Sequence, residues 1–225
     1  MHSAQKLVYT TFLILLVTAI TCTQAVQVAA ADMDGIAASA DEVQPVKAGE
    51  MAPKFTVRTV DDEPFVFDPE NLDKPAVLIT FRGGWCPYCN MHLSELRHVV
   101  PELEARGVDV FFLSGDRPEL LYSSLKRETQ DDIDGLGYTI LSDADMNAAR
   151  ALGIAFRVPS STLDYMSERG RDIEASSMDK FEALPVPAVY VIDDDGTVAF
   201  SFVEPDYKVR LPAADVLAVA TAVAD

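Results

Sequence analysis

Cysteine, histidine and basic residues are all scarce in this 225-residue chain, and each scarcity excludes something. There are three cysteines, two of them forming the single Cys86-x-x-Cys89 pair, so no second pair exists to complete a four-ligand structural zinc site. Asn90 stands where a c-type haem attachment needs histidine. One of the three histidines is His2 at the N-terminus, which leaves His92 and His98 for any metal site. Lysine and arginine number 18 against 36 aspartates and glutamates, a formal net charge of −18, which disfavours nucleic acid and anionic membranes as partners. The acid excess reads as solubility, of a kind suited to a salty medium. Long apolar runs are also missing: the stretch 7–20 is short for a membrane span.

That stretch, Leu7 to Ile20 behind Lys6, has the form of a secretory signal. Small residues at Thr23 and Ala25 predict cleavage before Val26, with Ala29-Ala30-Ala31 as a second candidate. Cys22 raises the alternative of a lipid-modified cysteine, although Ala19-Ile20-Thr21 fits that pattern poorly. The expected organisation is a signal peptide over 1–25, a flexible spacer over 26–48 and one folded domain over 49–225. Export would place the cysteine pair in an oxidising periplasmic or extracellular compartment, with no membrane contact beyond the leader.

The chain is organised around Phe81-Arg82-Gly83-Gly84-Trp85-Cys86-Pro87-Tyr88-Cys89-Asn90. The β-rich run Ala76–Phe81 precedes it, and Leu93, Leu96, Val99, Val100 and Leu103 follow at helical spacing. A strand therefore runs through a Gly-Gly turn into a helix. Two cysteines three apart in a first helical turn have Cα atoms about 5–6 Å apart, within the window for a disulfide. Cys86, at the helix N-terminus and just after Arg82, is the expected attacking thiolate; Cys89, one turn in, is the resolving thiol. Pro87 suits the first turn, where the N–H it lacks has no helical partner. A copper site made of Cys86, Cys89 and His92 is a minor alternative.

Around this unit, 55–60 and 64–67 read as an N-terminal β-hairpin, and Pro101 breaks the site helix. Then follow a strand over 108–113, a helix over 118–129, a strand over 138–141 and a helix over 145–152. The segment 156–181 is weakly periodic, with one short helix around 161–169. Strands at 188–193 and 197–203 flank Asp194-Asp195-Gly196 as a hairpin, and a helix over 213–224 closes the chain. The expected class is α/β, a central mixed sheet flanked by helices.

This order, with Trp-Cys-x-x-Cys opening the first helix, resembles a thioredoxin-like fold. Within it the chain resembles the peroxiredoxin-like proteins of the alkyl hydroperoxide reductase/thiol-specific antioxidant group. The residues that carry the likeness are Gly49–Phe55, Phe81–Cys89, Leu113–Asp116, Leu141–Asp143 and Val186–Asp193. The resemblance implies a cis Val186–Pro187 bond, with the Val186 backbone facing the sulfurs as a dock for an extended partner. The chain departs from the group's pattern where a Thr or Ser is usual, three residues before the attacking cysteine, and has Gly83 there. It has Ile79 where a Pro is usual and Pro187 near the place of an Arg. Arg82 either takes over part of the missing electrostatic role or forms a surface ion pair.

The function expected from this resemblance is a thiol-dependent antioxidant oxidoreductase, without cofactor or metal, that reduces hydroperoxides through a Cys86–Cys89 dithiol/disulfide cycle. Supporting residues are Arg82, Trp85, Pro87 and Pro187. An external dithiol, a thioredoxin-like protein or a small thiol, would restore the pair. The alternative is an exported thiol–disulfide oxidoreductase acting on protein disulfides through the same two sulfurs.

Overall fold

Strand β3 (Ala76–Phe81) shows how the chain is layered, since all six of its residues are buried. Alternation of side chains sends Val77, Ile79 and Phe81 into one core cluster and Ala76 and Leu78 into another. A strand buried on both faces belongs inside a sheet covered by helices on each side. In this computed structural model, which describes residues 35–224, β3 sits in a seven-stranded sheet. The other strands are β1 (Phe55–Arg58), β2 (Pro64–Phe67), β4 (Asp109–Ser114), β5 (Thr139–Ser142), β8 (Ala188–Ile192) and β9 (Val198–Val203), in the order β2-β1-β5-β4-β3-β8-β9. Strands β3, β4 and β5 are parallel; β8 and β9 join antiparallel, as does the β1–β2 hairpin on β5. The sheet is therefore mixed. A separate two-stranded pair, β6 (Ala155–Arg157) and β7 (Ala183–Pro185), lies outside it.

The helices are α1 (Pro87–Leu96), α2 (Val100–Ala105), α3 (Arg127–Ile133), α4 (Asn147–Ala151), α5 (Ser160–Glu168), α6 (Ser177–Phe181) and α7 (Ala213–Ala224). Leu93, Leu96, Leu103 and Val216 pack with Val77 and Ile79 on one face of the sheet, while Ala148, Ala149 and Leu152 pack with Leu78 and Tyr190 on the other. The break at Pro101 is present: α1 stops at Leu96, and α2 begins at Val100 with the proline in its first turn.

Three expectations are corrected. The helix expected over 118–129 is a 3-10 turn over Pro118–Leu120 followed by α3, which starts only at Arg127. The intervening residues are held by the site loop instead: Ser124 donates to Asp116, and the Lys126 N–H donates to Asn90 Oδ1. The helix expected over 145–152 is shorter, because Met146 takes a φ of +58° and Asp143 caps the N–H groups of Ala148 and Ala149. The spacer expected over 26–48 is ordered in its described part. Ile36 is buried, Ala37 pairs with β6 through the Ala155 carbonyl and the Arg157 N–H, and the Val46 N–H donates to the Leu152 carbonyl. These backbone bonds and one buried side chain anchor a segment whose sequence has no periodicity. The segment 156–181 also holds β6 and α6, too short to leave a periodic trace. The expected signal peptide over 1–25, Cys22 and the beginning of the spacer lie outside the described residues.

Candidate active site

Strand β3 delivers the chain to Arg82, and two glycines turn it into α1. At Gly83, φ is +151°, and a Cβ would stand 2.3 Å from Trp85 Nε1 and 2.6 Å from Asp116 Oδ1. At Gly84 a Cβ would stand 2.1 Å from Ser124 Oγ. Both positions exclude a side chain, so the hydroxyl that the resemblance places at 83 has no room there. Cys86 caps α1 with extended backbone (φ −84°, ψ 117°), and Pro87 occupies the first turn. Asn90 fastens the loop from inside the helix. Its Nδ2 donates to the carbonyls of Gly84 (2.7 Å) and Cys86 (2.9 Å). From the loop after β4, buried Asp116 accepts from the Gly84 N–H (2.7 Å) and the Ser124 hydroxyl (2.8 Å). Burial raises the Asp116 pKa, and these donors oppose the rise.

Cys86 and Cys89 are free thiols, each 1% exposed. The Cys86 pKa is lowered to about 6, chiefly by the hydrogen bond from the Cys89 thiol. Burial works against this lowering, while the Cys89 backbone N–H and the guanidiniums of Arg82 and Arg210 add to it. Cys89 is pushed well above the usual thiol range, first by burial and then by its bond to Cys86. The two thiols thus differ in acidity, and for Cys86 the partner thiol contributes more than the charge of Arg82.

Arg82 is packed against aromatic rings and is not a surface ion pair. Its guanidinium lies over the rings of Tyr207 (4.5 Å) and Trp85 (5.3 Å), its Nε is buried without a hydrogen-bond partner, and burial lowers its pKa. Tyr207 also meets Tyr88 edge to face at 5.7 Å. The same segment brings in Arg210, a residue with no mark in the sequence, whose Nη2 is 3.5 Å from Cys89 Sγ. The next residue binds α1 as well: His92 Nε2 donates to the Leu211 carbonyl at 3.0 Å. Burial lowers the His92 pKa to about 4, so the ring is neutral near pH 7. No group of three or more His, Cys, Asp or Glu placed to hold a metal ion occurs among the described residues, which counts against the copper alternative.

Pro187 is buried, and the Val186–Pro187 bond is trans: among the described residues there is no cis peptide, which corrects the expectation. Pro187 has no N–H for the β3–β8 ladder, and the Thr80 hydroxyl bridges the gap. It donates to the Val186 carbonyl (3.0 Å) and accepts from the Ala188 N–H (2.8 Å). The Val186 N–H donates to the Ile154 carbonyl at 2.8 Å. Both backbone groups of Val186 are therefore used internally, and the dock expected there for an extended partner is closed.

Cys86 opens instead into a cleft of ≈ 500 Å³ lined by Arg82, Trp85, Tyr88, Tyr207 and, from the segment around α5, Thr162, Tyr165, Met166 and Arg171. The least readable part of the sequence thus walls the site.

Residues 48–201 match the model of the AhpC/TSA family. Peroxiredoxin Bcp of Escherichia coli is 32% identical over 113 residues, 50% of this chain and 67% of that protein. The thiol-disulfide oxidoreductase ResA of Halalkalibacterium halodurans is 25% identical over 128 residues, 57% of this chain and 67% of that protein. Among solved structures, a peroxiredoxin-like protein from Aquifex aeolicus has a TM-score of 0.58 at 20% identity and covers 80% of this chain and 89% of its own. Reduced Prx3 from Vibrio vulnificus, in complex with hydrogen peroxide, has a TM-score of 0.59 at 18% identity, covering 78% and 99%. These structures share the mixed-sheet fold described above.

Proposed function

We propose that this chain, which belongs to the AhpC/TSA family, reduces hydroperoxides with Cys86 as the attacking thiolate and Cys89 as the resolving thiol. It is a thiol-dependent oxidoreductase of the peroxiredoxin kind. In the first step Cys86 sulfur attacks the terminal peroxide oxygen, the O–O bond breaks and an alcohol or water leaves. Cys86 is then a sulfenic acid. Cys89 sulfur attacks it, the S–O bond breaks, water leaves and the Cys86–Cys89 disulfide remains. Two thiol equivalents from an external reductant restore the pair.

The observation that carries this reading is a thiol lowered to about 6 and bonded to a second, protonated thiol at the floor of a cleft. Arg82, held between two rings, supplies positive charge beside the reacting sulfur, in the absence of a hydroxyl at 83. We further propose, from the hydropathy of residues 7–20, that the protein is exported.

The test is stopped-flow mixing of reduced protein with stoichiometric hydrogen peroxide, following Trp85 fluorescence and then counting thiols. Oxidation much faster than that of an ordinary thiol at equal thiolate fraction, with both thiols lost, is the expected result. Slow oxidation, with rapid exchange against a protein disulfide, favours the reading as a thiol–disulfide oxidoreductase, to which the similarity to ResA points.

A further inference from the structure

The cleft over Cys86 carries the opposite charge from the chain around it. The sequence has 36 acidic side chains to 18 basic ones, yet the cleft lining includes two guanidiniums, Arg82 and Arg171, and no carboxylate. The rest of the lining is largely aromatic or hydroxylic, with Tyr165 and Tyr207 among its rings. Such a site selects a small organic anion, because low-dielectric walls focus the field of the arginines and the acidic exterior repels anions elsewhere.

With Cys86 only 1% exposed, an incoming sulfur must descend the cleft, whose ≈ 500 Å³ falls in the range of small-molecule sites, about 300–1,000 Å³. A protein reductant docking as an extended strand needs free backbone groups beside the disulfide. The Val186 N–H and carbonyl, which the resemblance offers for this, are bonded to Ile154 and Thr80.

We propose that the reductant which restores the Cys86–Cys89 pair is a small carboxylate-bearing thiol that binds in this cleft, its carboxylate on Arg171 and Arg82 and its sulfur over Cys86. The proposal rests on the dithiol cycle of the preceding section and adds the chemical class of the electron donor. The bound thiolate attacks Cys86 Sγ, the Cys86–Cys89 bond breaks, and Cys89 leaves as a thiolate that takes a proton. A second molecule of the thiol attacks the donor sulfur of the mixed disulfide, releasing Cys86 thiolate and the oxidised donor. Two thiols are oxidised to one disulfide, and the protein gains two electrons and two protons.

The test starts from the oxidised protein, its disulfide verified by thiol count, and measures single-turnover reduction by three probes at equal thiolate concentration: 3-mercaptopropionate, 2-mercaptoethanol and cysteamine. A thioredoxin-type protein dithiol is the fourth arm. The expected order is anionic, then neutral, then cationic, with 3-mercaptopropionate at least about tenfold faster than 2-mercaptoethanol at low salt, within the range of electrostatic steering. The advantage shrinks as salt is added. Arg171→Glu abolishes the preference, and Arg127→Glu, an exposed arginine on α3, leaves the order unchanged. A smaller advantage, an unchanged order in Arg171→Glu, or a protein dithiol faster than 3-mercaptopropionate at equal concentration would overturn the proposal. Failure of the peroxidase reading registers separately, as slow oxidation by hydrogen peroxide, because here the disulfide can be made with diamide.

Discussion

Arg210 Nη2 lies 3.5 Å from Cys89 Sγ, and the Nη1 of the same guanidinium is held by the carbonyls of Tyr207 and Val209. The fork is thus oriented by its own loop towards the Cys89 sulfur. Burial raises Cys89 strongly, and Arg210 is the first of the groups that oppose this. In the proposed cycle this places Arg210 at the second step, in which Cys89 gives up its proton to displace water from oxidised Cys86.

Arg210→Met is accordingly expected to slow disulfide formation more than peroxide attack. A charge-assisted hydrogen bond contributes about 1.5–3 kcal/mol, which corresponds to tenfold or more in the rate of the second phase. Dimedone trapping should reveal a longer-lived sulfenic acid on Cys86. Equal slowing of both phases would mean that Arg210 serves Cys86 instead.

The Cys86 thiolate makes a pH-dependent claim. Its alkylation rate should rise through a midpoint near pH 6, and in Cys89→Ala, which loses the leading hydrogen bond, the midpoint should move up towards the ordinary thiol value of about 8.5. The folded pKa lies below the unfolded one. The stability contributed by Cys86 is therefore fully present above about pH 8.5 and is lost as pH falls through about 6. Thermal unfolding of the reduced protein against Cys86→Ser over that window checks the sign. Cys86→Ser also abolishes turnover, whereas Cys89→Ser leaves a trapped sulfenic acid after one equivalent of peroxide.

Restoring the hydroxyl that relatives are expected to carry should do harm here. In Gly83→Thr the new Cβ meets Trp85 Nε1 and Asp116 Oδ1 at a φ of +151°. The loop must shift, with a loss of at least about 2 kcal/mol of stability and of peroxide reactivity. A urea titration together with the stopped-flow assay reads both. A stable and faster Gly83→Thr would show that the loop is looser than its contacts indicate.

Asp116→Ala strips the acceptor from the buried Gly84 N–H and from the Ser124 hydroxyl. An unsatisfied buried donor costs about 1–3 kcal/mol, so the urea midpoint should fall by a corresponding amount. Because Asp116 holds the loop and does not touch the sulfurs through these bonds, the midpoint of the Cys86 alkylation profile should stay near that of the parent. A large movement of that midpoint would give Asp116 an electrostatic role instead.

Much of the site is legible in the sequence because it is local. A β-rich run, two glycines, a Cys-x-x-Cys pair with proline in between and a helical repeat specify strand, turn, N-cap and helix within twenty-one residues, 76–96. Short-range sterics and the helix terminus decide these. The hairpins at 55–67 and 188–203 are legible for the same reason, through β-rich runs flanking turn residues. Elements whose form depends on distant partners leave no such trace. The residues 121–126 are diverted from a helix by Asp116 and Asn90, and Ile36 to Val46 follow backbone partners at Leu152, Ala155 and Arg157.

The sequence by itself determined the Cys-x-x-Cys pair, its place at a helix start and the succession of the seven main-sheet strands, since these rest on residue spacing and local backbone preference. The tertiary structure alone decided which charges reach the sulfurs. Arg210, 121 positions from Cys89, arrives through the loop between β9 and α7; Tyr207 folds over Arg82; Thr80 closes the backbone at Pro187; and the α5 segment walls the cleft. Electrostatic and packing effects fall off with distance in space, whereas a linear pattern records only distance along the chain.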